Sequence, residues 1–116
     1  MKLQDEFRPI RDWAYNKGIL KHGDSKTQTL KLQEEVGELA SAILKSKPKE
    51  VKDAIGDIVV VLTSIAYFNG LTIEDCINSA YSEIKNRTGQ IKDGNFVKEE
   101  QPTLGCGELI NPNAGV

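Results

Sequence analysis

The stretch Leu32-Gln33-Glu34-Glu35-Val36-Gly37-Glu38-Leu39-Ala40-Ser41-Ala42-Ile43, residues 32–43, sets Leu32, Val36, Leu39 and Ile43 at steps of three and four. With about 3.6 residues per turn, that spacing predicts an amphipathic helix whose acids ride beside an apolar stripe. Toward the N-terminus, Ser25 or Thr27 can cap this helix. Toward the C-terminus it runs into Ser46-Lys47-Pro48. Pro48 suits the first turn of a following helix, and Glu50 favours the positive end of that helix's dipole. The stripe there is Val51, Ile55, Ile58, Leu62 and Ile65, and Asn69-Gly70 ends it.

The flanks extend the same pattern. Leu3, Phe7, Ile10, Trp13 and Ala14 predict a first helix that starts near Pro9 and ends at Gly18. Residues 19–26 read as a polar connection. Thr72 can cap a last helix that turns Ile73, Ile77, Ala80 and Ile84 inward, with Gly89 as its terminator. Asp93-Gly94-Asn95 then suggests the turn of a short hairpin or extended arm. The expected fold is all-α: an antiparallel bundle of about four helices over residues 1–98, followed by an irregular C-terminal arm at 99–116.

Composition narrows the function. The chain has 116 residues and a formal net charge of -2, so its overall balance lacks the basic stripe that a nucleic-acid polymer requires. The longest apolar run, from Ile58 to Leu62, is too short to span a bilayer, and the N-terminus turns acidic without an apolar segment. No membrane association is expected. Cys76 and Cys106 form no C-x-x-C pair, which favours reduced thiols and a cytoplasmic setting. A domain this small gains stability by burying further surface, so a homodimer or homotetramer is expected.

The chemistry concentrates in two clusters, Glu34-Glu35-Val36-Gly37-Glu38 and Asp53-Ala54-Ile55-Gly56-Asp57. Successive helical residues turn by about 100°, which puts Glu34 and Glu38 about 40° apart and Glu35 and Glu38 about 60° apart. Asp53 and Asp57 are likewise about 40° apart on the next helix. Glu35 falls on the border of the apolar stripe and Glu34 nearest to solvent; Asp57 borders the apolar side of its own helix. Acids at the margin of a seam can converge across it, where they stay hydrated, become protonated or bind a cation. Mg²⁺, with Mn²⁺ as an alternative, suits such oxygen ligands. One histidine, His22, and two scattered cysteines make zinc a poor candidate. The competing reading is a solvated acidic face offset by Lys31, Lys45, Lys49 and Lys52. Gly37 and Gly56 each cost about 1 kcal/mol in a helix interior, which a close approach by another backbone or a substrate would explain.

Residues 28–40 and 53–58, with Lys85-Asn86-Arg87 and the segment 91–98, resemble the MazG-like all-α nucleoside triphosphate pyrophosphohydrolases. The resemblance spans about residues 7–98, and its most specific element is the E-E-x-x-E run Glu34-Glu35-Val36-Gly37-Glu38. It implies Mg²⁺-dependent conversion of a nucleoside triphosphate into the monophosphate and pyrophosphate, inside a helical homo-oligomer. Glu35 and Glu38 match the family's E-x-x-E metal ligands, and Asp57 matches the acid that closes its second motif, E-x-x-D. Ala54 stands where that motif has Glu, and Asp53 is the candidate substitute. Glu34 and Glu38 are the candidate general bases. Lys31 can meet a phosphate or pair with the neighbouring acids. Asn86 and Arg87 resemble the family's nucleotide contacts, while capping of the helix end is their ordinary alternative. Trp13 can stack on a base, although its place in the first helix's stripe favours packing in the core; His22 reads as a surface loop residue. A catalytically reduced bundle serving as a nucleotide sensor or scaffold is the rival reading, kept open by Ala54.

Overall fold

The computed structural model describes residues 1–99. The expected tail beyond Glu99, with Cys106, lies outside the described residues. The helices are α1 (Arg8–Asn16), α2 (Ile19–His22), α3 (Ser25–Leu44), α4 (Pro48–Phe68) and α5 (Ile73–Ile84), and the strands are β1 (Gly89–Lys92) and β2 (Asn95–Lys98). The all-α class holds, with one small hairpin added. The chain divides into two units, Met1–Tyr81 and Ser82–Val116, and each is described by itself.

In the first unit the frame is the antiparallel pair α3 and α4, against which α1 and α2 pack on the α4 side. Pro9 lies in the first turn of α1, where its missing N–H leaves no intrahelical bond unmade. The connection expected at 19–26 contains the single helical turn α2. The cap of α3 is Asp24, not Ser25 or Thr27: its Oδ1 accepts the Thr27 N–H at 2.7 Å, which holds the carboxyl below the usual carboxylate range. Ser25 is instead the first residue of α3, and its Oγ accepts a bond of 2.9 Å from Asn69 Nδ2. That bond ties the start of α3 to the end of α4.

At the other end, Ser46 takes a left-handed conformation (φ 54°) and lets the Lys47 N–H reach Ala42 O at 3.0 Å. The connection is only three residues long, so α4 folds straight back along α3 with Pro48 in its first turn. Gly70 (φ 73°) closes α4 in the same way, with the Leu71 N–H bonded to Ala66 O at 2.9 Å. Thr72 caps α5 as expected, its Oγ1 accepting the Asp75 N–H at 3.1 Å.

The core is built mainly from small side chains: Ala14, Ala42, Ala54, Val61, Ala66 and Ile73. Alanines at a helix seam let the two backbones approach closely, and this changes which face is inside. On α3 the enclosed residues are Glu35 and Ala42, with Leu32 and Leu39 half-buried. Val36 and Ile43, expected in the stripe, are 48% and 56% exposed, and on α4 Ile55 is 51% exposed. The α3 seam therefore runs through Leu32, Glu35, Leu39 and Ala42, and it leaves a second apolar edge open. Ile73 faces inward as expected, whereas Ala80 and Ile84 are exposed.

Helix α5 is anchored through polar bonds to the N-terminal segment. Asn78 Oδ1 accepts the Leu3 N–H and its Nδ2 donates to Leu3 O, each at 2.8 Å. Glu74 is fully buried; it accepts the Phe7 N–H at 2.8 Å and a 2.6 Å bond from Arg11 Nη1. Arg11 also reaches Asp5 at 3.4 Å.

In the second unit, β1 and β2 pair antiparallel with Ile91 opposite Phe96 and Lys92 opposite Asn95. Asp93 (φ 52°) and Gly94 (φ 81°) both adopt left-handed conformations. This is the two-residue turn that Asp-Gly favours because its twist matches that of the strands. Gly89 opens β1 and does not terminate the helix, which closes at Ile84.

Candidate active site

The α3–α4 hairpin gathers most of the acids that the sequence singles out. An open cleft of about 330 Å³ is lined by Glu38 and Ser41 from α3 and by Glu50, Asp53, Ala54 and Asp57 from α4. Since the Ser25–Asn69 bond and the short 45–47 connection hold both ends of the pair, equal rise along the two helices sets Glu35 and Glu38 level with the Ala54–Val59 stretch.

Glu35 is the enclosed member of the group. Its side chain is only 7% exposed, Oε2 pairs with Lys31 Nζ at 3.2 Å, and Oε1 has no hydrogen-bond partner. A buried carboxylate oxygen left without a partner costs about 1–3 kcal/mol or more. The Glu35 charge, together with burial, the Glu34 charge and the contact between the two carboxyls, pushes the Glu38 carboxyl above its usual range. Lys31 also reaches Glu34 Oε1 at 3.3 Å, and these bonds, the one to Glu35 foremost, raise its ammonium above the usual lysine value. Lys31 thus pairs with both neighbouring acids.

Among the described residues, no group of three acidic, histidine or cysteine side chains is placed to hold a metal ion. Mg²⁺ does not require a full set of protein ligands, because it retains several waters and completes its shell with substrate phosphates. An orphaned buried oxygen on Glu35, a repelled carboxyl on Glu38 and an acid-lined opening beside them fit a hard divalent cation. Zinc would want nitrogen or sulfur ligands, and His22, the one histidine, is exposed in α2.

Two other expectations change. Trp13 is 47% exposed, and Ala14 takes the core position of α1, so packing in the core does not account for the indole. A Cβ placed on Gly37 or Gly56 would meet nothing within 4 Å, so no described part of the chain makes the close approach that would explain them. Asn86 and Arg87 belong to the second unit, where Arg87 Nη2 lies 3.5 Å from Glu83 Oε1.

The sequence reading overlooked Ser41 and Glu50 as cleft residues. Their signal was positional: Ser41 follows Glu38 by three residues, and Glu50 precedes Ala54 by four. The Arg11–Glu74 pair was also overlooked, since nothing local links two residues so far apart in the chain.

Fold and cleft together define a small helical domain with an acid-lined opening along the seam of two antiparallel helices. The MazG nucleotide pyrophosphohydrolase domain model matches residues 24–91, and the chain belongs to that family. A relative from Haemophilus phage HP1 (strain HP1c1), described only as an uncharacterized 18.2 kDa protein in the rep-hol intergenic region, is 39% identical over 67 residues. The match covers 58% of this chain and 41% of that phage protein. No solved structure matches. No single helix among the described residues is long and apolar enough to cross a membrane.

Proposed function

We propose that this protein is a Mg²⁺-dependent pyrophosphohydrolase that converts a nucleoside or deoxynucleoside triphosphate into the monophosphate and pyrophosphate, for clean-up or regulation of a nucleotide pool. The observation that carries this reading is the enclosed Glu35 Oε1, without a partner, beside the repelled carboxyl of Glu38 at an acid-lined cleft. Glu35, Glu38, Asp53 and Asp57 are the residues that hold the cation, with Mn²⁺ as an alternative to Mg²⁺. When bound, the cation neutralises phosphate oxygens and lowers the cost of charge build-up during the displacement.

The chain's own residues do the rest. Lys31, which pairs with Glu34 and Glu35, is one candidate contact for a nucleotide phosphate and Trp13 a candidate surface for the base, while Asn86 and Arg87 are candidate nucleotide contacts on the family resemblance alone. A water is deprotonated by Glu34 or Glu38 as it attacks; the α–β anhydride bond breaks and pyrophosphate leaves. Residues 1–98 form the catalytic domain in this reading, and 99–116 an accessory arm. The exposed apolar edge of Val36, Ile43 and Ile55 supports assembly with further copies, as a dimer or tetramer. A cytoplasmic setting, without nucleic-acid polymer or membrane as partner, accords with the near-balanced charge.

Incubation with a panel of NTPs and dNTPs plus Mg²⁺, read as pyrophosphate release, tests the proposal. Pyrophosphate from at least one nucleotide supports it. Ala54 supports a second reading, a catalytically reduced sensor or scaffold, and tight nucleotide binding without product would favour that reading instead.

A further inference from the structure

Helix α5 is held in its unit by little apolar burial. Among the described helices and strands, none brings a Cα atom within 8 Å of α5. Of its apolar side chains only Ile73 is buried; Ile77 is half-buried, and Ala80, Tyr81 and Ile84 are exposed. The pair α3 and α4, by contrast, is closely packed, and α4 buries Ala54, Val61 and Ala66.

What fastens α5 is the segment that precedes and begins α1. The Asn78 side chain bonds both the N–H and the carbonyl of Leu3, each at 2.8 Å. One helical turn earlier, Glu74 accepts the Phe7 N–H at 2.8 Å and Arg11 Nη1 at 2.6 Å. Leu3 and Phe7 add only half-buried side chains. This strap belongs to α1, because the Arg8 N–H bonds Asp5 O at 3.0 Å and the Ile10 N–H bonds Phe7 O at 3.1 Å. Polar bonds that break on opening are replaced by bonds to water, so their net hold is modest beside that of a packed apolar seam. A helix of twelve residues is marginal once it stands alone.

We propose that α5 is a strapped helix that releases as a unit of its own: the bonds from Leu3, Phe7 and Arg11 to Glu74 and Asn78 break together, α5 departs and melts, and α1–α4 stay folded with the α3–α4 cleft intact.

Native-state hydrogen exchange on the full chain, read by mass spectrometry over a series of urea concentrations below the unfolding transition, tests it. Amides of residues 77–84 should exchange through an opening at least about tenfold more populated than the one that exposes the slowest amides of α3 and α4, with a weaker dependence on urea because less surface is uncovered. Val61→Ala loosens a core that stays packed when α5 is released. It should speed exchange of those α3 and α4 amides by about tenfold and leave residues 77–84 unchanged. Asn78→Ala should speed exchange of both groups, since its bonds are lost in the released and the unfolded state alike. Equal protection and equal urea dependence of α5 and the α3–α4 pair overturns the proposal, as does a Val61→Ala effect of the same size on both. Unchanged exchange of residues 77–84 in Asn78→Ala overturns the role of the strap. If Val61→Ala does not fold, the wild-type urea series decides by itself.

Discussion

Arg11 Nη1 donates to Glu74 Oε1 across 2.6 Å, joining α1 to the first turn of α5 through side chains that are 16% and 1% exposed. Because α5 has few other anchors in its unit, this pair and the Asn78 bonds to Leu3 hold it. Removing one partner leaves an enclosed charge without compensation, which costs about 3–5 kcal/mol. Glu74→Ala should lower stability by that amount in urea unfolding. Arg11→Met combined with Glu74→Leu should recover most of the loss, since neither charge then remains buried.

The same carboxyl sets an acid limit. Burial pushes Glu74 up, but the bonds from Arg11 and the Phe7 N–H together with the Arg11 charge outweigh it, and the group ends below its ordinary value. A carboxyl depressed on folding contributes stability that is fully present above the unfolded-state value and is lost as pH falls through the lower folded-state value. Wild-type Tm should therefore fall steeply in acid below the ordinary carboxylate range. In Glu74→Gln that part of the decline should vanish, with a lower Tm at neutral pH.

Glu38 follows the opposite sign. Its carboxyl is raised by the Glu35 charge foremost, so the ionised form works against the folded state near neutral pH. Glu38→Gln should abolish pyrophosphate release while keeping or raising the Tm of the metal-free protein. A variant with wild-type turnover would refute the assignment of Glu38 to the site.

Lys31 bridges Glu34 and the enclosed Glu35. Lys31→Met should lower metal-free stability by about 1 kcal/mol, at the low end for an exposed cation because solvent screens it. The stabilisation by saturating Mg²⁺ should then grow relative to wild type, since the cation takes over compensation of Glu35. Paired thermal melts with and without Mg²⁺ measure this difference.

Val36, Ile43 and Ile55 form an apolar edge that the described chain leaves uncovered. Ile43→Glu and Ile55→Glu should shift the mass measured by light scattering toward that of a single chain. A wild-type protein already monomeric at micromolar concentration would remove the basis for assembly on this edge.

Much of the molecule could be read from local rules. Apolar periodicity marked the long helices, Pro48 and Gly70 marked the boundaries of α4, and Asp93-Gly94 specified the hairpin turn, because each depends on the backbone within a few residues. The acidic clusters were legible for the same reason: side chains four apart share one side of a helix in any helical fold.

What the sequence determined by itself was therefore the four longer helices, their order and the edges on which the acids ride. Only tertiary packing decided which edge lies inside. Val36 lies in the apolar stripe read from the sequence and Glu35 on its border, yet the alanine-lined approach of α3 to α4 encloses the carboxylate and leaves the valine half exposed. The burial of Glu74 by Arg11 and the entry of Glu50 into the cleft beside Ala54 have the same origin. Each depends on how two helices are rotated and set against one another, and that is determined by the summed packing of distant residues.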